Sequence, residues 1–129
     1  MISTSNLLAE IQQAIKDAEI VQGNHVFIED VDDSNWDGSE QLNIYEYERR
    51  PIGHQVGVCG YECTVVLQAI AQTKDRVVSI IKESGNVIEN LNIRSEILKG
   101  EEVGRTDSGT KIHNSYLAKR QYTIFTIGE

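Results

Sequence analysis

Two consecutive stretches decide the fold, Cys63-Thr-Val-Val-Leu-Gln-Ala-Ile70 and Thr73-Lys-Asp-Arg-Val-Val-Ser-Ile-Ile81. The first is mostly apolar at consecutive positions, which predicts that a strand over residues 56–70 is buried on both faces in its second half. The second predicts a helix capped by Thr73, with Asp75 in the first turn, where the helix dipole favours an acid. The inner stripe of this helix comprises Val77, Val78 and Ile81.

The sequence that follows this helix predicts two more segments and a closing strand. Gly85-Asn86 is typical of a helix end, so we expect the helix to stop near Ser84. Residues 87–98 alternate loosely and favour a strand, whereas residues 99–110 hold three glycines and predict a mobile loop. Residues 116–127 predict the last strand, with apolar members Tyr122, Ile124, Phe125 and Ile127.

The N-terminal part of the chain predicts a helix followed by strands. Residues 5–19 place apolar side chains at helical spacing, and residues 25–28 favour a short strand. Residues 42–49 alternate and are rich in Tyr, which predicts a strand with Leu42, Ile44, Glu46 and Glu48 on one face and Tyr45 and Tyr47 on the other. Pro51 is expected to stop ladder pairing there.

The element order predicted from the sequence is α-β-β-β-α-β-β within a single domain spanning residues 1–129. This order indicates the α+β class, with a mixed, mainly antiparallel sheet and two helices packed on one face. Strands longer than the core they cover are expected to project as hairpins.

Composition argues against several classes of function. The chain has 129 residues and a formal net charge of −8, which disfavours binding to a phosphate backbone. No apolar run is long enough to span a membrane, and the N-terminus lacks the basic start of a secretory signal. The two cysteines, Cys59 and Cys63, favour a reducing compartment.

The acidic segment, residues 29–40, contains six acids and no base, so we expect a solvated loop. Within it, Asp33, Asn35, Asp37 and Gly38 follow the spacing of the first half of an EF-hand loop. The twelfth position is Ile44, where such a loop needs a bidentate Glu, although Glu40 or Glu46 is an alternative ligand. A calcium-binding acidic loop therefore remains an alternative to a plain turn.

No other motif predicts a cofactor, a metal or a catalytic site. His54, Cys59 and Cys63, with His25 or His113, invite a metal interpretation, but C-x3-C is not the usual zinc spacing. Buried thiols on a strand face are the alternative. No nucleophile elbow or phosphate loop is present, and carboxylates are paired only in the acidic segment. We therefore expect a protein that acts by binding and not as an enzyme.

The basic residues gather in the sequence near predicted strand ends. We call four of them the basic rim: Arg49, Arg50, Lys119 and Arg120. One interpretation is a set of solvated strand ends. The other is a surface that complements the acidic segment of a neighbouring subunit.

The order of elements resembles that of the tail terminator (tail completion) and small neck proteins of long-tailed bacteriophages. The resemblance covers nearly the whole chain. It rests on the opening amphipathic helix, the Tyr-rich strand at 42–49, the segment from Cys63 through Ile81, and two closing strands separated by a polar loop.

This resemblance implies a virion subunit, assembled in the cytoplasm of the bacterial host, that forms a ring, commonly a hexamer. The ring caps the tail tube and joins it to the head connector, and no nucleic-acid or membrane contact is required. Two different patches on each subunit are needed for such a ring. Our candidates are the basic rim and the acids Asp30, Asp32, Asp33 and Asp37, with Glu101, Glu102 and Arg105 as residues of a partner-binding loop.

Overall fold

The computed structural model describes residues 6–28, 40–54, 57–91, 94–108 and 112–127, with side chains omitted at residues 54, 57–59, 94–108, 112–115 and 127. A short 3-10 turn at Gln22–Asn24 follows the first helix. The helices and strands are α1 (Leu7–Asp17), β1 (Val26–Phe27), β2 (Gln41–His54), β3 (Gly57–Ala71), α2 (Lys74–Asn90), β4 (Arg94–Ser108) and β5 (Ile112–Ile127). The predicted order and the α+β class are confirmed.

The five strands form one sheet in the order β1-β2-β3-β5-β4. Only β1 and β2 run parallel, while the other three pairs are antiparallel. The sheet is therefore mixed and mainly antiparallel, as predicted. The central strand β3 pairs with β2 on one side and with β5 on the other over most of its length.

Both helices pack on one face of this sheet. Alternate residues of β3, from Cys63 to Ala71, join the same apolar cluster as Leu7, Ile11 and Ile15 of α1. The cluster includes Val77, Ile80, Ile81 and Ile88 of α2. Successive side chains of a strand point to opposite faces, so the alternate residues of β3 share one face of the sheet. Both helices pack against these residues and therefore lie on that face.

The opposite face of β3 is buried as well. Val66 and Ile70 are 1% and 0% exposed, and Thr64 and Gln68 are also buried. The prediction that the second half of this strand is buried on both faces is confirmed.

Helix α2 begins where the sequence indicates and ends later. The hydroxyl oxygen of Thr73 accepts a hydrogen bond from the backbone N–H of Arg76 at 3.3 Å, which confirms the predicted cap. The expected stop at Gly85-Asn86 is wrong, because the helix continues to Asn90 and takes up residues predicted to start a strand. Gly85 is buried against β5, so it is needed for a close approach and not for a helix end.

Pro51 does not stop the ladder, contrary to expectation. It is paired with Tyr61, and β2 continues to His54. Within the described residues, β1 pairs only with Leu42 and Asn43, so the rest of β2 has a neighbour on one side only. An edge strand accepts proline because the missing N–H need not face a partner.

The mobile loop expected over residues 99–110 is also wrong for residues 99–108, which belong to β4 and pair with β5. Residues 109 and 110 lie outside the described part of the chain. Pairing with β5 continues through the glycine-rich sequence, with register irregularities between Ile97 and Lys99, between Lys99 and Glu102, and near Ser108. Pairing along a long partner strand here outweighs the weak strand propensity of the segment.

No helix in the described part of the chain is both long enough and apolar enough to span a membrane.

We expect Gly85→Ala to destabilise the protein, although Ala normally improves a helix interior. A Cβ at position 85 would lie 2.4 Å from Nη1 of Arg120 and from the hydroxyl oxygen of Tyr122. Tyr122 is fully buried and has little room to move. The expected loss is about 1–3 kcal/mol in the free energy of unfolding, measured by urea denaturation.

The exposed neighbour provides the control, since Asn86→Ala should leave stability nearly unchanged or raise it slightly. Tyr122→Phe removes one of the two atoms in the clash, so it should cost less in the Gly85→Ala background than alone. Equal costs in both backgrounds would contradict this account of Gly85.

Candidate functional site

The four residues of the basic rim do not lie together on one surface. Arg49 and Arg50 are successive residues of β2, and Lys119 and Arg120 are successive residues of β5, so each pair is split between the two faces of the sheet. Arg49 is level with Cys63 of β3, whereas Arg120 is level with Leu67. A separate account is needed for each residue.

A β-bulge fixes the position of Arg49. Glu46 is paired with Val65, but Glu48 is paired with Thr64, so Tyr47 is an extra residue in β2. The bulge moves Glu48 off the face it was predicted to share with Glu46 and places Arg49 on that face instead.

Arg49 is held rigidly by its neighbours on that face. Its Nε and Nη2 atoms donate to the two carboxylate oxygens of Glu46, both at 2.7 Å. Its guanidinium lies 5.4 Å from the centre of the Tyr61 ring. The bidentate hydrogen bond that Arg49 donates to Glu46 raises the pKa of Arg49, so the charge is permanent. The side chain is 41% exposed, which leaves an ordered cation at the surface.

Arg50 points to the opposite face and is more open. Its nitrogens lie 3.0 Å from Glu48 and 3.4 Å from Glu62, and its side chain is 67% exposed. Such exposed pairs contribute little to stability. Arg50 is therefore free to exchange these carboxylates for those of another molecule.

The two basic residues of β5 lie within the sheet and not at its rim. Arg120 is half-buried beneath α2, where Nη1 donates to the Tyr122 hydroxyl at 3.1 Å. Lys119 is half-buried on the other face, in register with Gln68 of β3 and Glu102 of β4. This difference cannot be read from the sequence, because it depends on which face α2 covers.

The partner-loop candidates fall on β4. Glu102 is paired with Lys119 and Arg105 with Tyr116, while Glu101 falls in an irregular stretch of the ladder. Their side chains lie outside the described part of the chain, and their role in binding a partner stays a prediction.

The predicted calcium ligands also lie outside the described residues, as do Asp30 and Asp32. Among the described residues, no group of three or more His, Cys, Asp or Glu could hold a metal ion. Cys63 is fully buried on the helix-facing side of β3, and burial raises the pKa of its thiol. The side chains of His54, Cys59 and His113 lie outside the described part of the chain, and the calcium alternative and the metal interpretation stay predictions.

Glu40 is the one described member of the acidic segment, and it is not simply solvated as expected. Its side chain is 13% exposed and accepts two hydrogen bonds from Arg76 of α2, one of them at 2.7 Å. Arg76 also donates to the backbone carbonyl of Ile20 at 3.2 Å, and Glu40 accepts from the backbone N–H of Gln22. This network ties the start of β2 to α2 and to the turn after α1.

The hydrogen bonds from Arg76 lower the pKa of Glu40 below its ordinary value. The same pair lines an open cleft of about 610 Å³, together with Ala18, Glu19, Ile20, Gln22 and Glu83. Because the pair joins α2 to the start of β2 and to the turn after α1, we assign it a structural role.

The strongest candidate for a binding surface is the pair of hairpins that extend beyond the hydrophobic core. Strand β5 has 16 residues and spans about 50 Å, whereas α2 has 17 residues and spans about 25 Å. Residues 47–53 are exposed, in contrast to the buried stretch 63–71 of β3. We call residues 47–54 and 57–62 the first arm.

A second projection lies at the other end of the sheet. Gly60 is paired with Ile127, so the tip of the first arm extends past the last paired residue of β5. Ala71 is paired with Tyr116, so residues 112–115 extend past the end of β3 in the opposite direction. These residues form the second arm with residues 106–108 of β4. The chain thus presents two different hairpin surfaces at opposite ends of the sheet.

We expect Glu40→Gln to lower the free energy of unfolding by about 1–2 kcal/mol at neutral pH. This is less than the loss expected for a fully buried ion pair, because the Arg76 side chain is 41% exposed. The folded state lowers the pKa of Glu40, so the contribution is present above the unfolded pKa and is lost as pH falls through the folded pKa. Urea unfolding at several pH values should show the two proteins converging in acid. Glu89→Gln, at an exposed position of α2, is the control. A difference in unfolding free energy between Glu40→Gln and the parent that does not change with pH would contradict the assignment.

No protein-family model matches the chain, and no curated protein is similar to it at a significant level.

Proposed function

We propose that this protein is a virion assembly subunit that forms a ring on the end of a long-tailed phage tail tube and joins it to the head connector. The observation that carries the proposal is the pair of arms at opposite ends of a single sheet. A subunit of this shape offers one surface to each of two neighbours. Contact between subunits, and not a chemical step, is the activity.

Two unlike surfaces on one subunit favour a closed ring. A head-to-tail contact uses a different patch on each partner, and it closes into a ring when the rotation between neighbours divides a full turn. A two-fold dimer would instead need one self-complementary patch. The two arms lie at opposite ends of β5, a strand about 50 Å long, which separates the two contacts within each subunit.

Charge on the first arm suits one of these contacts. Arg49 and Arg50 lie on opposite faces of β2, so the arm presents a cation in both directions. The acidic segment carries Asp30, Asp32, Asp33 and Asp37 and is a candidate partner for these cations in a neighbouring subunit. Association of this kind fixes orientation and speeds encounter.

The tail-tube protein and the head connector are the remaining partners. A ring exposes two flat ends, one for each of them. The proposed site of action is therefore the virion, with assembly in the cytoplasm of the bacterial host.

The ring is tested by molar mass in solution, measured by sedimentation across protein concentration, with and without tail-tube protein. We expect a closed species of fixed stoichiometry, commonly six copies, either alone or on the tube. A chain that stays monomeric under every condition, including with tube protein, would overturn the proposal.

Reversal of the arm charges tests the surface. Arg49→Glu with Arg50→Glu should weaken assembly at least about tenfold, and added salt should not restore it. Lys74→Glu with Lys82→Glu makes the same change in charge on the exposed surface of α2 and should assemble normally. Normal assembly of the arm variant would remove the first arm from the interface.

A further inference from the structure

We call the side of the sheet away from both helices the second face. No helix or strand of the described residues lies over it, because α1 and α2 pack on the other side and all five strands belong to the sheet itself. Four of its residues are nevertheless almost completely buried, and we call them the floor: Asn43, Val66, Gln68 and Ile70, with exposures between 0% and 5%. Flanking strands shield the sides of such side chains but not their outer ends, so other atoms of the chain cover the floor.

The cover lies over one part of the second face only. Along β2, Gln41 and Asn43 are buried, whereas the Arg50 side chain is 67% exposed and Ile52 is 39% exposed. Tyr45, between these two groups, is half-buried. All five residues point to the second face, since each is in register with a β3 residue of that face. The cover is therefore centred near the start of β2 and the adjoining part of β3.

Two polar atoms of the floor identify the chemistry of its cover. Within the described part of the chain, Nδ2 of Asn43 and Oε1 of Gln68 are buried and make no hydrogen bond. The carbonyl oxygen of the Asn43 side chain already accepts from Nε2 of Gln41 at 3.4 Å. Buried donors and acceptors are normally satisfied, so the cover supplies polar groups to these two atoms as well as apolar atoms to Val66 and Ile70.

Residues 29–39, the acidic segment without Glu40, begin and end beside the floor. Phe27, two residues before them, is in register with Asn43, and Gln41, two residues after them, is in register with Ile70. Eleven residues reach as far as about 36 Å when extended, which is enough to cross the neighbouring strands and return.

The direction of the strands favours the second face for this connection. β1 and β2 are parallel, so the chain between them returns past the sheet before it enters β2. On the other face this space is taken by α1: Val26 of β1 and Leu42 of β2 lie in its apolar cluster, and Gln12 of α1 donates to the carbonyl of Val26 at 2.8 Å. The face that α1 leaves open over β1 and β2 is the second face.

The composition of residues 29–39 matches the floor. Val31 and Trp36 are their only apolar side chains besides glycine, and Trp36 is the only tryptophan of the chain. Their carboxylates and backbone carbonyls can accept from Nδ2 of Asn43, and their backbone N–H groups can donate to Oε1 of Gln68. Lys119, half-buried on the second face in register with Gln68, adds a cation that complements their acids.

We propose that the second face is a docking surface for residues 29–39 of the same chain, with the indole of Trp36 seated on Val66 and Ile70. The acids on either side of Trp36 are then presented from the face to which Arg50 also points. A partner that binds these acids approaches the molecule from that side, away from the helices. The inference is independent of the proposed ring, because it concerns a contact within one chain.

Fluorescence of the single tryptophan reports on the docked segment in the whole 129-residue chain. We expect Trp36 to emit at shorter wavelength than in the urea-unfolded chain and to be quenched less by acrylamide, with no dependence on protein concentration. Emission and quenching equal to those of the unfolded chain would overturn the proposal. Shielding that appears only as the chain associates would assign the cover to a second copy, and this too would overturn it.

A comparison of double variants tests where Trp36 is seated. Ile70→Val removes one methylene from the floor, and it should lower the urea midpoint less in the Trp36→Ala background than in the parent. Ile81→Val makes the same change in the helix-side cluster and is the control, with equal losses in both backgrounds. Equal losses for Ile70→Val would contradict the seat. If deletion of residues 2–5 changes the loss and Trp36→Ala does not, the N-terminal residues are the cover and the proposal fails.

Discussion

The fold depends on the burial of β3 on both faces while it is paired on both edges. The backbone of β3 pairs with β2 and β5, and the side chains of Val65 and Leu67 pack in the same cluster as the helices. Because side chains alternate along a strand, a slip of one residue in either ladder would exchange the side chains facing the helices with those facing away. Register is therefore fixed strongly around β3, and the positions of all other elements follow from it.

A consequence is that the sheet is larger than the layer that covers it. The two helices bury the stretch of β3 from Cys63 to Ala71, and the strands continue beyond that cover in both directions. In the uncovered part of β2, Arg49 makes a bidentate hydrogen bond to Glu46, with both N···O distances at 2.7 Å. Local contacts of this kind reduce the conformational entropy that a projecting strand would lose on binding, which supports the proposed role in subunit contact.

Two single residues adapt this plan. Gly85 lets α2 approach β5 closely enough to leave no space for a methyl group beside the Tyr122 hydroxyl. Tyr47 adds one residue to β2, which sends Glu48 and Arg50 to one face and keeps Glu46 and Arg49 on the other. In both cases a single residue decides which side chains meet, Gly85 within a regular helix and Tyr47 through a bulge.

The sequence by itself determined the element order, the single α+β sheet, the Thr73 cap and the burial of β3, because these depend on local periodicity and capping chemistry. It failed at Gly85, at Pro51 and over residues 99–108, where local signals for a stop or a loop were outweighed by packing against β5, by an edge position and by ladder pairing. It also grouped Arg49, Arg50, Lys119 and Arg120 as one surface. Only the tertiary structure decided that they lie on different faces, because facing depends on register and bulges, and these are set by partner strands distant in the chain.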